Sequence, residues 1–168
     1  EDGLVLDHYV EIEFTGSQIN VGETTNTYEN LFILSGAAEN VTSNYKITII
    51  DGMLKVTARP ITITINDAEK VYDGTALTKN TFTTSGLVSG HVATCTVTGS
   101  ITNYGTNGTA NNVPSNAVIK SGSTDVTSNY NVSYVNGKLT INKKPVTVTA
   151  DSETRTYNGN ALSKSTFT

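Results

Sequence analysis

Several groups of side chains in this sequence have the types and spacing that chemistry asks for. Glu11 and Glu13 lie two apart, so on a strand their carboxylates share a face, as acid and base catalysis on a glycosidic bond would require. His8 and His91 each follow a Gly-Leu-Val triplet by the same interval and could act as general bases. Lys79 and Lys164, with Asn44 and Asn129, are the residue types of an autocatalytic isopeptide crosslink, in which a lysine amine displaces an asparagine amide. Asn66-Asp67 and Asp73 carry oxygen ligands of the kind calcium takes.

Each group also has a plainer reading. Eighty-three residues after Glu11 and Glu13 stand Thr94 and Thr96, so the pair does not recur and reads as solvent-facing strand charge. No second histidine, cysteine or Ser-His-Asp grouping recurs beside His8 and His91, which fits packed or turn-bonded histidines. The crosslink needs a buried carboxylate to assist it, and none is evident; exposed lysines are expected instead. The acidic spacing misses the alternating pattern of a calcium loop, so no metal is assigned. Asn40-Val41-Thr42, Asn107-Gly108-Thr109 and Asn131-Val132-Ser133 match glycosylation sequons, but 29 Thr and 18 Asn make such triplets expected by chance. The expectation is no enzyme, with no catalytic, cofactor-binding or metal residues and no cofactor.

Composition points the same way. Hydrophobic residues make up 36% of the chain and aromatics 7%, with no Trp, thin material for one large core and better suited to two small ones. A net charge of −4 argues against a nucleic-acid groove or an anionic membrane as partner. No apolar run reaches membrane-spanning length, so no membrane insertion is expected. Cys95 stands alone and permits no internal disulfide. Thr favours strands while Asn and Gly favour turns, so the chain reads as all-β.

The elements that would position these residues repeat. Residues 60–83 align without gaps on residues 145–168 with 11 identities in 24 positions, an offset of 85. Val41 to Tyr45 recurs as Val126 to Tyr130 at that offset, and Gly3-Leu4-Val5 with His8 recurs as Gly86-Leu87-Val88 with His91 at 83. Ile61, Ile63 and Ile65 alternate with threonines, as do Val146 and Val148, which predicts strands with the aliphatic side buried. Ala93 to Thr98 alternates likewise and would bury Cys95. Asn136-Gly137 and Asp51-Gly52 read as two-residue hairpin turns. They would set Tyr134 opposite Leu139 and Val132 opposite Ile141, and Ile49 opposite Leu54 and Ile47 opposite Val56. Tyr72-Asp73-Gly74 and Tyr157-Asn158-Gly159 predict a buried aromatic and a tight turn, and residues 103–116 a polar loop.

Taken together these features resemble the YDG and MBG-type repeat modules of bacterial cell-surface adhesins. The resemblance rests on the Thr-alternating strand, on Tyr72-Asp73-Gly74-Thr75-Ala76-Leu77 and its copy at Tyr157 to Leu162, on the Gly-Leu-Val with its histidine, and on the closing Asn-Gly-Lys-Leu-Thr-Ile segment. It implies an extracellular, mostly β module strung in tandem on a bacterial cell surface, with no activity of its own. The expected fold is all-β, with small antiparallel modules of about 85 residues, β-grasp-like or an Ig-like sandwich, arranged as an elongated rod. By the junction prolines Pro60 and Pro145, residues 1–59 are a partial unit, 60–142 a complete one and 143–168 the start of another. The alternative phasing is 1–83 and 84–168. The expected role is a structural stalk or spacer whose partners are neighbouring repeat units, with self-association by strand donation from 143–168 to 1–59. The rival is a module binding a host glycan or protein through the Tyr-bearing turns and the loop 103–116, with Tyr72, Tyr104 and Tyr157 as its aromatic platform.

Overall fold

The computed structural model describes residues 3–105 and 111–168. Within them lie twelve strands: β1 (Tyr9–Phe14), β2 (Gly22–Asn26), β3 (Tyr28–Leu34), β4 (Gly52–Val56), β5 (Arg59–Ile65), β6 (Ala68–Val71), β7 (Phe82–Ser85), β8 (His91–Thr98), β9 (Val113–Ser121), β10 (Thr124–Asp125), β11 (Tyr130–Val135) and β12 (Leu139–Asn142). Single 3₁₀ turns sit at Thr42–Asn44 and Thr127–Asn129. The all-β expectation holds. The strands form five small sheets, ordered β1-β3, β2-β4, β10-β9-β8, β11-β5-β7 and β12-β6.

Two compact units emerge. One gathers the chain through Ile63 with Thr84–Cys95 and Asn116–Tyr134; the other gathers Thr64–Thr83, Thr96–Ser115 and the chain from Val135 onward. Each has its own small core, as the sparse aliphatic content predicts. In the first unit Ile61, Ile119 and Tyr130 are buried, with Leu87, Ala93, Val126 and Val132 packed around them. In the second, Ile101, Leu139 and Ile141 are buried against Ala68 and Leu77. The alternation of β5 is realised in full, with Ile61, Ile63 and Ile65 buried between strands on both sides. That of β8 is realised too, with Cys95 half-buried and its thiol pushed up by burial.

Neither expected hairpin forms. Neither Asn136 nor Gly137 has a positive φ, although a type I′ turn needs one at both positions. The chain instead runs on from β11 to β12 and changes partner from β5 to β6. The β12-β6 pairing is parallel, with Leu139 beside Ala68 and Ile141 beside Lys70. Tyr134, expected opposite Leu139, is 41% exposed, and its hydroxyl accepts the Ala117 N–H at 3.0 Å. Gly137 serves close approach rather than turning. It exchanges backbone hydrogen bonds with Asn112, and a Cβ there would meet the Asn66 carbonyl oxygen at 2.8 Å and Ile65 Cγ2 at 2.9 Å. Around Asp51-Gly52, β4 pairs antiparallel with β2, Thr24 facing Leu54 and Gly22 facing Val56. Ile47 and Ile49 then belong to no strand and lie 39% and 42% exposed.

Two further expectations change. Val146 and Val148 are 79% and 66% exposed, and between 143 and 168 the backbone makes one isolated bridge, Ala150 with Phe167. Without a sheet to cover them, alternation alone buries nothing. Of the segment 103–116, residues 106–110 lie outside the described residues, while Val113–Asn116 open β9. Asn111 and Asn112 are structural: Asn111 Nδ2 donates to the Leu139 carbonyl at 3.0 Å, and its Oδ1 accepts the Leu139 N–H at 2.8 Å. Asn112 is fully buried, donating from Nδ2 to the Lys79 carbonyl at 2.6 Å.

The glycines separate the two roles experimentally. Gly137→Ala should cost about 1–3 kcal/mol, because the new methyl meets backbone and a packed isoleucine. Gly52→Ala meets only Asn26 Cβ at 3.6 Å and should change stability by less than about 0.5 kcal/mol. Urea unfolding of both variants measures this; equal losses would restore the hairpin-turn reading.

Candidate functional site

The two histidines are the best matched pair of polar side chains in the chain. His8 immediately precedes β1 and His91 opens β8, both at tight turns, where each backbone N–H is donated to a carbonyl three residues back, that of Val5 or of Val88. His8 Nδ1 lies 2.6 Å from the Tyr45 hydroxyl and His91 Nδ1 lies 2.6 Å from that of Tyr130. Both ring pairs are edge-on with centroids 5.9 Å apart. The same hydroxyls accept the N–H groups of Val5 and Val88. Each tyrosine thereby ties a turn to a distant strand. A ring nitrogen so engaged helps clamp the turn to the tyrosine.

The carboxylates behave as surface charge. Glu11 and Glu13 are exposed on β1, a bulge in the β1-β3 register falls between them, and Glu13 accepts from Asn30 Nδ2 at 3.2 Å. Asn129 is engaged away from any lysine, accepting the Val21 N–H at 2.7 Å and donating to Asn20 at 2.8 Å. Lys164 meets Glu153 at 3.3 Å. Asn66 bonds Thr81, and Asp67 accepts the Lys138 N–H.

The Tyr72-Asp73-Gly74 turn holds the densest polar cluster. Asp73 Oδ1 accepts the Thr75 N–H and hydroxyl at 2.9 and 2.8 Å, which closes the turn around Gly74 at φ +84°. Lys70 Nζ caps it, donating to Asp73 Oδ1 at 2.7 Å and to the Thr75 carbonyl at 2.8 Å. That lysine first, and then the two Thr75 donors, hold the Asp73 carboxyl well below the usual range. The copy repeats the device with other residues: Asn160 N–H donates to Asn158 Oδ1 at 3.2 Å, and Arg155 donates to the Asn160 carbonyl at 2.5 Å. The tight turns are as expected, but the aromatics are not buried: Tyr72 is 39% and Tyr157 92% exposed. Tyr72 and Tyr104 line an open cleft of about 500 Å³ with Lys143, Lys144 and Val146. Lys143 Nζ sits 4.7 Å from the Tyr104 ring centroid, a cation held over a π-face. The sequence marks both tyrosines but not the lysine over Tyr104, which no local pattern announces.

Residues 61–140 match the family model of the MBG domain, YGX type. This stretch resembles an MBG module. The match spans just under half of the 168 residues and runs from β5 into β12, so it contains the Lys70 turn, the His91-Tyr130 clamp and Gly137. No curated protein and no solved structure matches the chain. The MBG module shares its internal ties with the residues before it. Thr127 Oγ1 accepts the Ile119 N–H at 2.8 Å, as Thr42 Oγ1 accepts that of Ile33 at the same distance. Asn116 and Asn30 both take positive φ, 52° and 53°.

Two measurements follow. Tyr130→Phe, at a buried site, removes a partner from His91 and from the Val88 N–H and should cost about 1–2 kcal/mol in urea unfolding; Tyr45→Phe, at a half-buried site, should cost less. Asp73, ionised below the usual carboxylate range, contributes stability that is fully present above its unfolded value and is lost as pH falls through its folded one. In Asp73→Asn that acid-labile part is missing, so the difference in unfolding midpoint between the two proteins should shrink below about pH 3. A difference that stays constant with pH would disprove the turn's ionic character.

Proposed function

We propose that this chain is a spacer segment of an extracellular bacterial surface protein, in which each MBG module is a strut that sets reach rather than a catalyst. One observation carries the reading: the polar residues that recur at the repeat offset are engaged in holding the chain to itself. The His-Tyr clamps, the Thr42 and Thr127 hydroxyls and the capped turns all bind backbone or one another. A stalk needs repetition of structure, and repetition of structure is what these contacts supply. The family match to a repeat module supports the same reading.

A second reading is favoured by the cleft between Tyr72 and Tyr104, whose exposed rings and flanking Lys143 suit a sugar stacked on an aromatic face. Here the module would bind a host glycan or protein. The two readings part in experiment. If the chain is a spacer, adding one 85-residue period should lengthen the particle by a fixed increment in small-angle scattering, so that the radius of gyration outruns the compact scaling of about N^0.38. Compact scaling would overturn it. A glycan-array signal lost in Tyr72→Ala and Tyr104→Ala would establish binding at the cleft; silence of the wild type up to about 1 mM ligand would remove that reading.

A further inference from the structure

We propose that Asn158-Gly159 is a site of spontaneous covalent modification, where loss of the asparagine amide gives the turn of the second copy the charge that Asp73 gives the first. The chain holds three Asn-Gly pairs, beginning at Asn107, Asn136 and Asn158. Before glycine the backbone nitrogen has no Cβ beside it to shield its attack on the preceding side chain. The Gly159 nitrogen attacks Asn158 Cγ, the N–Cγ bond forms as the Cγ–Nδ2 bond breaks, and ammonia leaves with the amide proton. Water then opens the succinimide. Cleavage of the new N–Cγ bond yields aspartate, and cleavage between that nitrogen and the backbone carbonyl carbon yields isoaspartate. Either product is one mass unit heavier than the asparagine form and carries one more negative charge.

The fold separates the two pairs that lie in the described residues. Gly137 donates its N–H to the Asn112 carbonyl at 3.0 Å and accepts the Asn112 N–H at 3.2 Å. It is also packed so closely that a Cβ would meet the Asn66 carbonyl oxygen at 2.8 Å. A nitrogen bonded on that bridge cannot turn onto Asn136. By contrast, neither the Gly159 N–H nor Asn158 Nδ2 has a partner among the described residues, so both the attacking nitrogen and the leaving group are free. Asn158 Oδ1 accepts the Asn160 N–H at 3.2 Å, which polarises the amide carbonyl and steadies the oxyanion formed on attack. The exposure belongs to the turn itself. At the equivalent turn within the family match, Tyr72 to Ala76 are all exposed, and a Cβ on Gly74, like one on Gly159, would meet nothing within 4 Å.

The aspartate product has its template in the first turn. Gly74 and Gly159 share one backbone conformation, φ +84° and +82°. Asp73 Oδ1 accepts the Thr75 N–H as Asn158 Oδ1 accepts that of Asn160. Lys70 and Arg155 each stand three residues before the turn's acceptor, and both donate into it: Lys70 to Asp73 and the Thr75 carbonyl, Arg155 to the Asn160 carbonyl. An aspartate at position 158 therefore finds a cation where Asp73 finds Lys70, with no change of backbone. The reaction asks nothing of the spacer role, since it depends on one turn alone.

The test is incubation of the 168-residue chain at mildly alkaline pH, folded and in urea, followed by peptide mapping with mass spectrometry. In the folded protein the gain of one mass unit should fall on position 158 at least about tenfold faster than on position 136. In urea the two positions should react at similar rates, because only the fold distinguishes them. Asn158→Gln should slow the reaction at 158 at least about tenfold, the six-membered ring it would need being harder to close. In Asn158→Asp the new carboxyl should titrate below an ordinary exposed aspartate by nuclear magnetic resonance, and adding Arg155→Gln should return it to the ordinary range. Equal rates at 136 and 158 in the folded protein, an Asn158 that stays intact while the urea-unfolded chain is converted, or a carboxyl at 158 indifferent to Arg155 would each overturn the proposal.

Discussion

The inner strand β5 presents three isoleucines on one side, and an aliphatic row of that kind has no stable place in water: each buried side chain contributes about 1.5–3 kcal/mol relative to exposure. With Ile61, Ile63 and Ile65 all buried, the strand is flanked on both edges by β11 and β7. The rest of the module is arranged to admit it. Gly86 and Gly137 leave space for its backbone, Arg59 donates from Nε to the Gly86 carbonyl at 2.6 Å, and Tyr130 closes the core over Ile61.

Polar side chains take over where the small sheets cannot satisfy the backbone. The strands are short and change partners often, so backbone groups at their ends would be buried without a ladder. Asn111 binds both backbone groups of Leu139, in the manner of a missing strand residue. Thr127 receives the Ile119 N–H, Tyr130 that of Val88 and Tyr134 that of Ala117. The abundance of Thr and Asn is therefore structural in good part, and it accounts for why a chain with little aromatic mass still encloses two cores. The same residues hold the fold together: each histidine is tied to a tyrosine, and the Asp73 carboxylate is capped by Lys70.

Much of this was legible before any coordinates. The aliphatic alternation of residues 61–65, the burial of Leu139 and Ile141, the turn at Asp73-Gly74 and the equivalence of the two histidines follow from side-chain period and repetition, which are local properties. The tyrosine partners of those histidines were not legible, because Tyr45 lies 37 residues from His8 and Tyr130 lies 39 from His91, and nothing local links them.

Which strand covers which face was decided by tertiary structure alone. Alternation states that one side of a strand is buried and is silent on the neighbour, since any backbone offers the same hydrogen-bond ladder. Asn136-Gly137 has the residues of a hairpin turn, yet the chain stays extended there because β12 gains a parallel partner in β6 and the glycine gives passage beside Ile65. Val146 and Val148 have the pattern of Ile61 and Ile63 and remain in water. Sequence determined the strand, its apolar side and its copies; the fold determined whether a sheet was there to receive it, because burial belongs to a pair of surfaces and not to one.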